Sequence, residues 1–416
     1  MSSPTILLRM GLFFDGTGNN VANADVHHSS HIARLFKLYP NAPHFDCLSL
    51  YIEGIGTRDG QPDAAVAMAT GAGELGWEAR IAQAQERLVK RLEGWLEGRA
   101  HAGAISVEVD LFGFSRGAAC ARHFANDLHA GEKGTLCTLL RSNATIRAAL
   151  PDLENALQVR FMGLFDTVAS IISLGTSPQL QLPEGVARRI VHLVARDELR
   201  CNFPLSSAGR HDLPLPGAHA DIGGGYPPET EERLLLTRPD RSLSPGHLPL
   251  SKAASYGRTL ALLRQYQAQR SSWGFDYRTR AWTHKAPARD PRTAEAHVYA
   301  AVEGRRVIRN DLAQVALEIM HQLACVEGVP LGELPPGQYR PELQPVVAKL
   351  QAYASRWAHD GSADMGLSSA EEALLAERYI HHSSHWGCDD ATPTSDLEGF
   401  YVHRPEPKGK RRILRT

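Results

Sequence analysis

The pentapeptide Gly113-Phe114-Ser115-Arg116-Gly117 follows the apolar run VEVDLF and opens onto the alanine-rich stretch AACARHFANDL. A serine flanked by glycines at such a junction can sit on a strand-to-helix turn tight enough to expose its hydroxyl as a nucleophile, while the next backbone N–H, that of Arg116, donates to an oxyanion. The plainer reading is a serine that caps a helix after a glycine turn. A nucleophilic serine needs a base, and the base needs a carboxylate to orient it. Asp166 comes directly after VRFMGLF, and His219 lies in the glycine- and proline-rich PGAHADIGGGY, so acid and base follow the serine in the order such a site uses. Asp166 can equally cap TVAS. His382 and His385 are rivals to His219 as base, and Asp221 is a rival acid or a brace. The second oxyanion donor belongs on an early loop. There Asp15-Gly16-Thr17 stands, and Gly16 lets backbone approach a substrate closely. The chemistry is acyl transfer from an ester through a covalent intermediate, with no metal or organic cofactor expected.

These groups need a frame. Residues 5–14 (TILLRMGLFF) read as a strand that stops at DGTGNN, and 48–55 (LSLYIEGI) as a second. Apolar residues recur at helical spacing between Glu74 and Arg99. Ile105–Phe112, 159–165 and 190–195 are further short apolar runs of strand type. Strands alternating with helices predict an α/β fold: a mostly parallel sheet with helices on both faces. Beyond residue 227, two proline-rich stretches (239–249 and 286–292) bracket an expected helix at 252–270, which reads as a helical insertion or lid. A stripe through Val307, Leu312, Val315, Ile319 and Leu323 predicts a helix over 306–325, with two more near 341–358 and 369–380. The expected division is a core over 1–230, an insertion over 231–304, C-terminal helices over 305–404 that complete the core, and a loose basic tail over 405–416.

Composition narrows the function. The 416 residues carry 45 Lys+Arg against 46 Asp+Glu, so no global field favours nucleic acid. No apolar stretch reaches the roughly 18 residues that a spanning helix needs. Arg9 interrupts the apolar N-terminus and no small-residue cleavage site follows it, which speaks against a Sec signal peptide. Six scattered cysteines without a CxxC pair signal neither a disulfide framework nor a zinc site, and fit synthesis in a reducing compartment. Gly71–Gly76 (GAGELG) fits G-x-G-x-x-G, but the preceding DAAVAMAT is a poor strand. FFDGT is similar to an aspartyl-phosphatase motif, yet Phe13 stands where the nucleophile would have to be. HHSSH occurs at His27–His31 and again at His381–His385, without an accompanying ligand spacing that would make a metal site.

GLFFDGTGNN, LFGFSRGAACARHFAN, GLFDTVAS, VARDELRCNFPL, PGAHADIGGGYP and RYIHHSSHW, in that order from about residue 10 to about 404, resemble the signatures of the DUF2235 group of α/β-hydrolases. That group includes the Tle1 phospholipase effectors of bacterial type VI secretion. The resemblance implies Ser115 as nucleophile, Asp166 as acid and His219 as base. It also implies an esterase acting on glycerophospholipids, made in the cytoplasm of one bacterium and delivered by a secretion-spike carrier to membranes of another, with an immunity partner in the producer. The chain is compact beside the longer Tle1 proteins. The alternatives are a housekeeping carboxylesterase for soluble esters and a non-catalytic module that keeps a hydrolase fold for docking.

Overall fold

The computed structural model describes residues 6–21, 29–57, 76–97, 99, 104–169, 177–269, 273–285, 295–361, 364–387 and 401–415. β1 (Ile6–Phe14) is buried on both sides from Met10 onward, as a central parallel strand must be. α1 (His31–Leu38) starts at Ser30, whose Oγ accepts the Ala33 N–H at 3.1 Å. β2 (Cys47–Ile52), α2 (Trp77–Glu97), β3 (Ile105–Phe114) and α3 (Arg116–His129) follow. Short helices α4 (Thr135–Ser142), α5 (Ala144–Ala149) and α6 (Leu153–Ala156) lead to β4 (Leu157–Phe165) and β5 (Arg189–Ala195). Then come β6 (Leu205–Ser207), β7 (Asp212–Leu215) and α7 (His219–Gly223). The remainder comprises β8 (Glu229–Leu235), β9 (Asp240–Pro245), α8 (Ala254–Gln269), β10 (Asp276–Lys285), β11 (Glu295–Arg309), α9 (Asp311–Val326), α10 (Gln344–Asp360), α11 (Ser369–Arg378) and β12 (Ile413–Arg415).

The main sheet runs β2-β1-β3-β4-β5-β7, and every neighbouring pair in it is parallel. One face packs Leu12 and Leu111 against Leu88 and Leu92 of α2 and Phe124 of α3. The other packs Phe13, Phe112 and Phe161 against Leu35 of α1 and Ile319 and Met320 of α9. The chain winds from β1 to β2 on one side and then crosses to β3 on the other. The loops after β1 and β3 therefore diverge at a switch point, where open α/β sheets place their ligands. This is the mostly parallel, doubly covered α/β sheet expected from the sequence.

Three expectations need correction. The insertion does contain a helix, α8, but the helix lies on a four-stranded antiparallel sheet in which β11 pairs with β10, β8 and β9. Val307 does not open a helix. It sits on β11 opposite Glu231 and is 57% exposed, because the long-range pairing with β8 outcompetes the local helical spacing, and the helix begins only at Asp311. The tail is not loose: β12 pairs in parallel with β6, and residues 401–415 are hydrogen-bonded along the loop that precedes it.

Candidate active site

Ser115 stands between β3 and α3 with φ 57° and ψ −124°, a left-handed conformation that side-chain-bearing residues rarely adopt. The turn closes so tightly that a Cβ at Gly117 would lie 2.3 Å from the carbonyl oxygens of Phe14 and Asp15, and one at Gly113 would lie 2.6 Å from Ala118 Cα. Both glycines are thus required by backbone approach. The Ser115 N–H donates to Phe165 O at 3.0 Å, which ties the serine to the end of β4.

Asp166 is the next residue after β4, fully buried and also left-handed at φ 41°. Its Oδ1 accepts the Ala195 N–H at 3.0 Å, and its Oδ2 meets His219 Nδ1 at 2.5 Å. His219 opens α7, and its own backbone N–H donates to Glu198 Oε2 at 3.2 Å. Its ring is held between Phe114, the residue before Ser115, at 4.7 Å, and Phe203 at 5.0 Å. Three sequence-distant groups, Ser115, Asp166 and His219, are thereby gathered at the carboxyl ends of β3, β4 and β7. With Nδ1 turned to the carboxylate, Nε2 is the ring nitrogen left for other work.

The electrostatics separate acid from base. Burial alone would raise the Asp166 carboxyl, but the Arg411 guanidinium, and then His219, hold it well below the usual carboxylate range. Burial lowers His219 despite the opposing pull of Asp166, so the imidazole stays neutral near pH 7. Glu198 is buried as well, and Arg200 outweighs that burial to hold it at about 2. An ionised acid beside a neutral, oriented imidazole is the pairing that general-base catalysis requires.

The other candidate residues are placed differently. The Gly16 N–H is not free: it donates to Asp15 Oδ1 at 2.7 Å. Asp15 is buried, accepts Ser30 Oγ–H at 2.6 Å and Tyr51 O–H at 2.5 Å, and is pushed up to about 6 by burial despite these bonds. The next amide, that of Thr17, makes no hydrogen bond among the described residues, and its Oγ1 is buried without a partner. Arg116 provides the first helical N–H of α3, which has no intrahelical acceptor. Asp221 is paired with other groups than His219. It takes His381 Nδ1 at 2.7 Å and the Ala218 N–H at 2.9 Å, and so braces α7 from below. His382 packs its ring against Trp273 and Phe275, and its N–H donates to Glu232. His385 stacks on His403 at 4.4 Å, and burial lowers it to about 3. The second HHSSH copy thus joins α7 to the insertion, through His381 on Asp221 and His382 on Glu232, Trp273 and Phe275. Of the first copy, His27 and His28 lie outside the described residues, as do residues 71–75 of the glycine motif; His31 Nδ1 meets Ile222 O at 2.9 Å. Among the described residues no group of three or more His, Cys, Asp or Glu is arranged to hold a metal ion, and no helix is long and apolar enough to cross a membrane.

Sequence reasoning did not single out Glu198, Arg200, Phe203 or Arg411. The first three lie inside the VARDELRCNFPL signature, whereas nothing local marks Arg411 among the tail's other basic residues.

A parallel sheet with a serine on a strained strand-to-helix turn, and a buried Asp–His pair on the loops after later strands, defines an α/β-hydrolase-type protein. Residues 9–138 match the family model "T6SS, Phospholipase effector Tle1-like, catalytic domain". Over its whole length the chain shares the fold of the Tle1 effector in the structure of that effector bound to the VgrG spike of the type 6 secretion system. The two are 23% identical with a TM-score of 0.77, and the match covers 100% of this chain and 95% of that one, so the chain is not compact beside this Tle1 protein as the sequence had suggested. The match to an uncharacterized protein from Pseudomonas aeruginosa is partial, at 19% identity and TM-score 0.44 over 89% of this chain and 52% of that one. No curated protein matches in sequence. The resemblance to the Tle1 group is thus supported by both a family model and a shared fold.

Proposed function

We propose that the chain is a serine phospholipase A of the Tle1 type, an EC 3.1.1 esterase that cleaves a carboxylic ester of glycerophospholipids through Ser115, His219 and Asp166. The observation that carries this reading is the buried Asp166–His219 pair, held against Phe114 beside a serine in a strained, nucleophile-type turn. His219 Nε2 takes the Ser115 proton as the hydroxyl attacks the ester carbonyl. Asp166 keeps the ring in the tautomer that can do so and stabilises the imidazolium. The tetrahedral oxyanion is met by the N–H of Arg116 and by the N–H of Thr17, which replaces Gly16 because the Gly16 amide is already engaged. His219 then protonates the leaving alcohol, and water attacks the acyl-serine by the reverse path.

In this reading residues 1–230 form the catalytic core with the helices of 305–404, the insertion over 231–304 forms the entrance for an acyl chain, and residues 405–416 belong to the site. The relative bound to the VgrG spike supports a spike as carrier of this chain too. An immunity protein, and action at the membranes of a target bacterium, complete the proposal. The test is Ser115→Ala against phospholipid vesicles. A folded variant that releases no fatty acid supports the assignment. Continued release by that variant excludes Ser115 as nucleophile.

A further inference from the structure

The C-terminal segment is fastened along the loop that precedes β6. The Cys201 N–H donates to Arg404 O at 2.8 Å, the Glu406 N–H to Leu199 O at 2.8 Å and the Leu205 N–H to Arg412 O at 2.9 Å, and β12 then pairs with β6. This strap carries the Arg411 side chain, only 6% exposed, in behind the candidate acid. Nη1 donates to Asp166 Oδ1 at 2.6 Å and Nη2 to Asp166 Oδ2 at 2.8 Å, a two-pronged grip on both carboxylate oxygens. Nη1 also reaches Ala195 O at 3.2 Å, and Nε donates to Phe203 O at 2.8 Å. Phe203 is one of the two rings that wall His219. One guanidinium therefore sets the acid and one wall of the base together.

We propose that Arg411 is a positioning residue of the Ser115–His219–Asp166 site, delivered by a C-terminal strap, so that the site is complete only when residues 401–415 are seated. The inference rests on the triad reading above. A buried carboxylate without a fixed donor on each oxygen can rotate away from the imidazole. Arg411 removes that freedom, because a planar fork fits both oxygens at once where an ammonium fits one.

The charges around His219 give the proposal a signature that a merely structural contact lacks. Asp166 and Glu198 face the imidazole as anions, with Arg411 and Arg200 behind them as cations, and Phe114 and Phe203 are uncharged walls. On α7 itself, Asp221 is engaged by His381. Beyond Asp166, the Thr167 N–H donates to His192, which pairs with Asp212. Two anions and two cations balance around the ring. Removing Arg411 leaves one carboxylate in excess, and that favours the protonated imidazole, which cannot act as base.

The experiment follows kcat/KM for ester hydrolysis, and the rate of Ser115 modification by a fluorophosphonate, from pH 5 to pH 9 in the full-length wild type, Arg411→Gln, Arg411→Lys and Ser115→Ala. In Arg411→Gln the acid limb is expected to move up by about one unit, so that below the limb kcat/KM falls about tenfold. Arg411→Lys, which keeps the charge and loses the fork, is expected to return the limb toward wild type with a lower plateau. A folded Arg411→Gln whose limb stays in place overturns the proposal. Should that variant not fold, Arg411→Lys decides: a lower plateau of kcat/KM supports the two-pronged fork, and a wild-type plateau overturns the proposal. Ser115→Ala separates the two levels. If it remains active in the hydrolysis assay, the triad reading falls and this inference falls with it. If it is inactive while the Arg411→Gln limb is unmoved, only this inference falls.

Discussion

Replacing Asp166 by Asn perturbs the site at one atom. Each oxygen of Asp166 has two donors: Oδ1 takes the Ala195 N–H and Arg411 Nη1, and Oδ2 takes His219 Nδ1 and Arg411 Nη2. An amide nitrogen in either place confronts N–H groups. With the nitrogen toward His219, the ring proton must move to Nε2, and the imidazole can no longer accept from Ser115. Loss of the correct tautomer costs a triad hydrolase about 10⁴ in kcat, or about 5 kcal/mol of transition-state stabilisation. Stability falls independently, because Arg411 keeps its buried guanidinium without a carboxylate. Removing one partner of such a pair costs about 3–5 kcal/mol, against a total of about 5–15 kcal/mol for a folded protein. The pH dependence has a definite sign. The folded Asp166 carboxyl lies below its unfolded value of about 3.9, so its contribution is present above about pH 4 and is lost as the pH falls further. Urea unfolding of wild type and Asp166→Asn should therefore differ by several kcal/mol at pH 7, and the gap should close below pH 4. Hydrolysis within tenfold of wild type, or unfolding midpoints that coincide at pH 7, would refute the assignment of Asp166 as the charged acid.

Two other sites give independent checks. Ser115 pays for its left-handed backbone, so Ser115→Gly should be inactive yet more stable by about 1 kcal/mol, read as a higher thermal midpoint; a lower midpoint would deny the strain. The Asp15 carboxyl is raised to about 6 by burial, so the folded state holds its proton longer than the unfolded state does, and stability declines by about 3 kcal/mol as the pH rises from about 4 to 6. Asp15→Asn should flatten that segment of the stability profile, and an unchanged slope would place the titration elsewhere.

The legibility of this fold follows the range of its interactions. The turn at Ser115 was readable because its demands are local: glycine at 113 and 117, a strand before and a helix after. The order of Asp166 and His219 along the chain was readable because each ends a run or a loop of recognisable texture. Where a long-range partner competes with a local pattern, the pattern fails. Val307 matched a helical stripe, yet β8 claimed it for a strand. The glycine at position 16 suggested an open amide, but the carboxylate of the preceding residue occupies it.

The sequence by itself determined the parallel α/β frame and the strained turn at Ser115, because hydrophobic period and glycine spacing act within a few residues. Only the tertiary structure decided which imidazole meets which carboxylate. His219 went to Asp166, and Asp221 took His381, a histidine that the sequence had not marked as a candidate base, while the rivals His382 and His385 went elsewhere. It also turned a tail of scattered basic residues into the clamp on Asp166, since a charge acquires its function from the buried partner that the fold brings to it, and no spacing along the chain between residues 166 and 411 encodes that meeting.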